Sequence, residues 1–160
     1  ELVPEDHQLR ALQLLQRASV MMSDGAAHIR YTALLDSVTA AFNTRFYKAD
    51  SCHYETGSQT ANSLPLFLNL TGVNRDKVLA SLVTDIHAHG DRLTTGDVGN
   101  RYLFQALARN GENELLYKML NHYEAPGYGF QLQFDATTLT EQWDPRKGSS
   151  WNHFMMGQID

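Results

Sequence analysis

Asn74-Arg75-Asp76-Lys77-Val78-Leu79-Ala80-Ser81-Leu82-Val83-Thr84-Asp85-Ile86-His87-Ala88-His89-Gly90 sets the architecture of this chain. Val78, Leu79, Leu82, Val83 and Ile86 recur at helical spacing, which makes one apolar stripe on an otherwise polar helix. Asn74 stands where an N-cap is expected and Gly90 where a left-handed stop is expected. The same grammar runs upstream. Leu9, Leu12, Leu15, Ala18 and Met22 predict a first helix over 5–22, with Pro4 ahead of it where a missing N–H is tolerated. Asp24 is placed to cap a second helix over 26–42, whose stripe is Tyr31, Leu34, Leu35, Val38, Ala41 and Phe42. Ala61, Leu64, Phe67 and Leu68 predict a third, which Pro65 must delay or kink and Gly72 ends. Downstream, Tyr102, Leu103, Ala106 and Leu107 predict a fifth helix over 100–109, closed by Gly111. A sixth, capped by Asn113, carries Leu116, Met119, Leu120 and Tyr123. Tyr128, Phe130, Leu132 and Phe134 alternate strictly and read as a short strand or β-ribbon. A last helix is expected to begin near Trp151 and to be still running at Asp160. The expected fold is therefore all-α, about seven antiparallel helices with a short β-ribbon.

The connections order these helices. Joins after the first, third and fifth helices are tight turns, around Asp24, Gly72 and Gly111. Joins after the second, fourth and sixth are long, polar and rich in glycine or aromatic residues. Sequential helices with short links pack antiparallel, so all three long loops fall at one end. In Asp91-Arg92-Leu93-Thr94-Thr95-Gly96-Asp97-Val98-Gly99 the two glycines and two threonines suggest backbone approaching something closely. No fixed-period repeat is present, which argues against a solenoid.

Composition narrows the function. With 160 residues, 42% of them hydrophobic, the chain has the size of one domain and can bury a core. A net charge of −5 with scattered Lys and Arg gives no basic stripe for a phosphate backbone, so nucleic acid is an unsuited partner. No apolar run is long enough to cross a membrane as a helix. Cys52 is the single cysteine, and it leaves the compartment open between secreted, periplasmic and cytoplasmic. Nucleotide-binding and serine-nucleophile motifs are absent. His87 and His89, two residues apart, do not share a helix face for a metal, and no cofactor or metal is expected. His53 and Glu55 read as solvated loop residues; Asp97 and Asp135, on the same loop face, could supply an acid but read first as turn formers.

The chemistry concentrates near the C-terminus. Thr137-Thr138-Leu139-Thr140-Glu141-Gln142-Trp143-Asp144 sets a carboxylate beside an indole, a pairing suited to general acid or base work. Ser150-Trp151-Asn152-His153-Phe154 adds a second cluster of indole, amide and imidazole. Together they read as a sugar-sized site.

Gly57-Ser58-Gln59-Thr60, Arg92-Leu93-Thr94-Thr95-Gly96, the stretch 137–144 and Trp151-Asn152-His153-Phe154, in this order, resemble the α-L-rhamnosidases of glycoside hydrolase family 78. The resemblance runs from about Ala33 to the end, with departures at Thr140 and Gln142. It implies part of an (α/α)6 toroid, the six-hairpin glycosidase fold, in which inner and outer helices alternate. It also implies inverting hydrolysis of terminal α-L-rhamnosyl linkages by two carboxyl groups roughly 6.5–9.5 Å apart. Glu141 matches the family's general base and His153 a histidine lining the sugar site. Trp143 and Trp151 would stack on or wall the pyranose ring, and Asn152 and Thr95 would contact it. The family's general acid lies in an acidic loop that has no match here. Residues 1–160 therefore resemble the C-terminal portion of one catalytic domain, cut at both ends. Its implied partners are a rhamnose-containing carbohydrate and either the remainder of the domain or a second copy covering the open sides. Two other readings stand beside it: a non-catalytic helical module that binds carbohydrate or protein, and a toroid glycosidase acting on another sugar.

Overall fold

The computed structural model describes residues 3–148 and 150–157. In order, the helices are α1 (Val3–Met21), α2 (Gly25–Phe46), α3 (Gln59–Phe67), α4 (Arg75–Ala88), α5 (Asp97–Arg109), α6 (Asn113–Leu120) and α7 (Tyr128–Leu132). An antiparallel pair, β1 (Tyr47–Lys48) and β2 (His53–Tyr54), interrupts the loop after α2. Tight turns join α1 to α2, α3 to α4 and α5 to α6, and each of these pairs packs as a hairpin. The most extensive contact is between α3 and α5. On its other side α3 meets α1, whose Gln13 Nε2 donates to Leu68 O at 2.7 Å. Thus α1, α3 and α5 form an inner layer and α2, α4 and α6 an outer one, the alternation expected of a toroid segment.

Burial follows from that layering. Residues Ala61–Phe67 of α3 are all buried, because neighbours cover every side of the helix. Pro65 lies within α3 rather than before or at a break in it. Its missing N–H falls in the last turn, and its carbonyl still accepts Leu70 N–H at 2.9 Å. The α1–α2 hairpin is the contrasting case. Leu14, Leu15, Val20, Met21, Met22, Ile29 and Leu34 are exposed there, an apolar edge left uncovered by the described residues.

Side chains tie the three long loops into one end. Gln59, fully buried at the start of α3, donates from Nε2 to Arg92 O (2.9 Å) and accepts Thr94 N–H at Oε1 (3.0 Å). His122 Nε2 donates to Asp91 O at 2.8 Å, which joins the loop after α6 to the loop after α4. Asn62 holds the remaining loop, accepting Tyr54 N–H (2.9 Å) and donating to Gly57 O (3.0 Å). At the opposite end Arg75 links two of the three tight turns, α3–α4 and α5–α6, through Asn69 and Asn110, both at 2.9 Å. Replacing Gln59 by Ala removes both halves of its staple and leaves a buried gap. The Thr94 amide should then exchange with solvent at least about tenfold faster, and an unchanged rate would show that the loop is held elsewhere.

Four local expectations are corrected. Residues 128–134 are not a strand. They form α7 and a turn, and Phe130 packs on Phe134 at helical spacing, 5.1 Å between centroids. Alternation alone makes no strand without a partner edge, and the two-stranded ribbon lies at 47–54 instead. There Tyr54 is buried and donates to Asn43 Oδ1, and burial next to Tyr47 pushes its phenol up to about 12. No α-helix starts at Trp151. His153 Nδ1 accepts Met155 N–H and opens a single 3-10 turn, Phe154–Met156, while 158–160 lie outside the described residues. The cap residue of α6 is Glu112, without a side-chain bond, rather than Asn113. Finally, Asn74 caps α4 in position only, also without a side-chain bond. Asp24, by contrast, accepts Ala27 N–H at 2.9 Å as its place before α2 predicts.

Candidate active site

The two C-terminal motifs run side by side. Glu141 N–H donates to Ser150 O and His153 N–H to Leu139 O, each at 2.9 Å, and Thr138 Oγ1 donates to Trp151 O. The Glu141 side chain is pinned at one oxygen only, where Oε2 accepts Ser150 N–H at 3.0 Å. Among the described residues no cation pairs with it. Glu141, Gln142, Trp143 and Asp144 line an open cleft of about 290 Å³ together with Asp97, Ala125 and Met156.

Several contacts fix the walls. Trp143 is half-buried, and its ring meets Tyr128 edge-on, 5.2 Å between centroids at 76°. Tyr128 in turn donates its hydroxyl to Met156 O, so α7 holds two of the residues that line the cleft. Asp144 takes a fork from Arg146, Nε to Oδ1 at 2.9 Å and Nη2 to Oδ2 at 3.0 Å. Those bonds raise the Arg146 pKa above its ordinary value. The Arg146 guanidinium also lies 4.5 Å from the Phe134 ring centre, a second anchor to the segment after α7.

The other expected site residues are placed less centrally. His153 spends Nδ1 on the Met155 amide and stacks on Phe154 at 4.8 Å. Neither it nor Trp151 lines the Glu141 cleft, and Trp151 is exposed. Asn152 is exposed, with its N–H and C=O both bonded to Ser150 Oγ. Thr95 turns inward and donates to Asn100 Oδ1 at the start of α5. Of the six residues expected here, Glu141 and Trp143 share the cleft; His153, Trp151 and Asn152 sit on the paired strand of chain beside it.

The two departures from the family pattern separate in space. Thr140 is fully buried and bonds Gln142 O at 2.6 Å, shaping the bend after Glu141, whereas Gln142 faces the cleft. Sequence reasoning missed Asp97, Ala125 and Met156 as lining residues. The available signal for Asp97 was its place at the first turn of an inner helix on the long-loop end. Among the described residues no group of three or more His, Cys, Asp or Glu could hold a metal, and no helix is long and apolar enough to cross a membrane.

Known proteins of one kind share this fold. A family model described as the bacterial alpha-L-rhamnosidase 6 hairpin glycosidase domain matches residues 1–160. An alpha-L-rhamnosidase of Formosa agariphila is 31% identical over 139 residues, covering 81% of this chain and 15% of that protein. The structure of an alpha-L-rhamnosidase from Dictyoglumus thermophilum superposes with a TM-score of 0.80 at 32% identity, over 94% of this chain and 18% of that one. That of a Streptomyces avermitilis alpha-L-rhamnosidase complexed with L-rhamnose gives 0.85 at 27% identity, over 97% of this chain and 16% of that one. The chain thus spans about a sixth of the length of the relatives it matches.

Proposed function

The chain belongs to the bacterial α-L-rhamnosidase six-hairpin glycosidase family, and on that premise we propose that it contributes the base half of a centre that hydrolyses terminal α-L-rhamnosyl linkages. The observation that carries this reading is Glu141: a carboxylate tied at Oε2 by one backbone N–H, unpaired with any described cation, on an open cleft walled by an indole. Such a group can hold a water at its other oxygen. Water attacks the anomeric carbon and gives its proton to Glu141, while the glycosidic C–O bond breaks and the leaving oxygen takes a proton from an acid on the opposite face. That geometry inverts the anomeric centre. The acid comes from outside these residues, in the remainder of the polypeptide. Further hairpins of the same toroid cover the apolar edge left on α1 and α2. Trp143 serves as a wall for the sugar ring, and His153, Trp151 and Asn152 bound the site from the neighbouring segment.

The full-length polypeptide carrying this chain is expected to release aryl alcohol from aryl α-L-rhamnosides, with aryl glucosides and unsaturated uronides left intact. The first rhamnose detected by NMR is expected to be the inverted anomer. Hydrolysis confined to another glycoside overturns the substrate, and a retained anomer overturns the water-activating role of Glu141.

A further inference from the structure

Three carboxylates line the Glu141 cleft, and they differ in what holds them. Asp144 is closed into the Arg146 fork and Glu141 accepts the Ser150 amide. Asp97, exposed as the first residue of α5, takes part in no hydrogen bond or ion pair among the described residues. Its mount is nevertheless rigid. Behind it Thr95 donates to Asn100, which is buried, and Gly99 lies so close to α3 that a Cβ there would sit 2.3 Å from Thr60 Oγ1. The other glycine of this loop, Gly96, borders open space. The close approach therefore braces the backbone under Asp97 and leaves its side chain at the cleft.

The lining matches one kind of ligand. It offers carboxylate oxygens, the Gln142 amide and the apolar edge of Trp143, and no Lys or Arg lines it. A neutral molecule rich in O–H donors fits that set, since an ionised carboxylate only accepts hydrogen bonds and can take two hydroxyls at once. We infer that Asp97 is a substrate-binding residue, accepting hydrogen bonds from hydroxyls of the sugar ring seated against Glu141 and so selecting which sugar is held there. This rests on the reading of the cleft as a glycosidase site. It assigns Asp97 recognition, with no proton transfer.

The test compares the full-length wild type with Asp97→Asn and Asp97→Ala on an aryl α-L-rhamnoside and on its monodeoxy analogues. Bonds to a charged acceptor correspond to about 10–100-fold in affinity. Both variants should raise KM by that factor with kcat within about threefold, the signature of binding made equally in ground and transition states. On the one analogue that lacks the contacted hydroxyl, wild type and variants should converge. A variant with wild-type KM on every analogue overturns the inference, and so does a lowered melting temperature with KM unchanged, which marks Asp97 as a helix-terminal acid only. A wild type that turns over no rhamnoside fails at the control, refutes the glycosidase reading first and removes this inference with it.

Discussion

Glu141→Gln in the full-length polypeptide is expected to lower kcat on aryl α-L-rhamnosides by about 10²–10⁴-fold, the range general-base catalysis supplies, with KM within about threefold. The substitution is nearly isosteric. A glutamine carbonyl still accepts Ser150 N–H, so the pairing of 138–141 with 150–153 survives and the variant folds. What it loses is a site for the proton of the attacking water. Azide, a nucleophile with no proton to give up, is therefore expected to restore turnover with a glycosyl azide as product. Wild-type kcat in the variant removes Glu141 from the mechanism, and a loss of rate that azide leaves untouched assigns it a structural role.

Gly127→Ala is expected to destabilise the domain by about 3 kcal/mol and to cost activity at least tenfold, although residue 127 touches no substrate. Its φ of 172° is extended backbone that any residue adopts, so the cost is contact rather than conformation. A Cβ there would lie 2.5 Å from His122 O, 2.9 Å from His122 Cβ and 3.1 Å from Glu124 O. Two of those atoms are backbone and cannot swing away. Residues 122–127 must move, taking α7 with them, and Tyr128 then leaves both Trp143 and Met156 O. Gly96→Ala is the control, since φ is −80° and nothing stands within 4 Å of the new methyl group. Thermal unfolding and kcat of the two variants should separate clearly; a Gly127→Ala protein that matches Gly96→Ala in both shows that α7 does not hold the cleft.

Much of the frame was legible because it is local. The stripe of α4, the cap at Asp24 and the left-handed stops at Gly90 and Gly111 depend on residues within one or two turns, and the structure has them where the pattern puts them. The difference in loop lengths carried further still, since antiparallel neighbours with tight joins leave the long loops no other end to occupy, and Gln59 and His122 bind those loops together there. The 128–134 stretch misled because a two-residue period and a short helix followed by a turn, which bring Phe130 and Phe134 together, share the same letters. A strand needs an edge to pair with, and that edge belongs to β1. Trp151 failed similarly as a helix start, since His153 turns its ring back onto the Met155 amide and the chain there forms only one 3-10 turn.

By itself the sequence determined the all-α frame, the gathering of the long loops at one end and the carboxylate at 141 beside an indole, because periodicity, capping and residue chemistry act over a few neighbours. Only the tertiary structure decided that Asp97, forty-four residues earlier, faces the same cleft, that Thr95 and Thr140 turn inward, and that Trp151 stays at the surface. The physical reason is that a cleft is made where separate helix starts and loops converge, and convergence depends on side chains such as Gln59 and Tyr128 whose partners lie far along the chain.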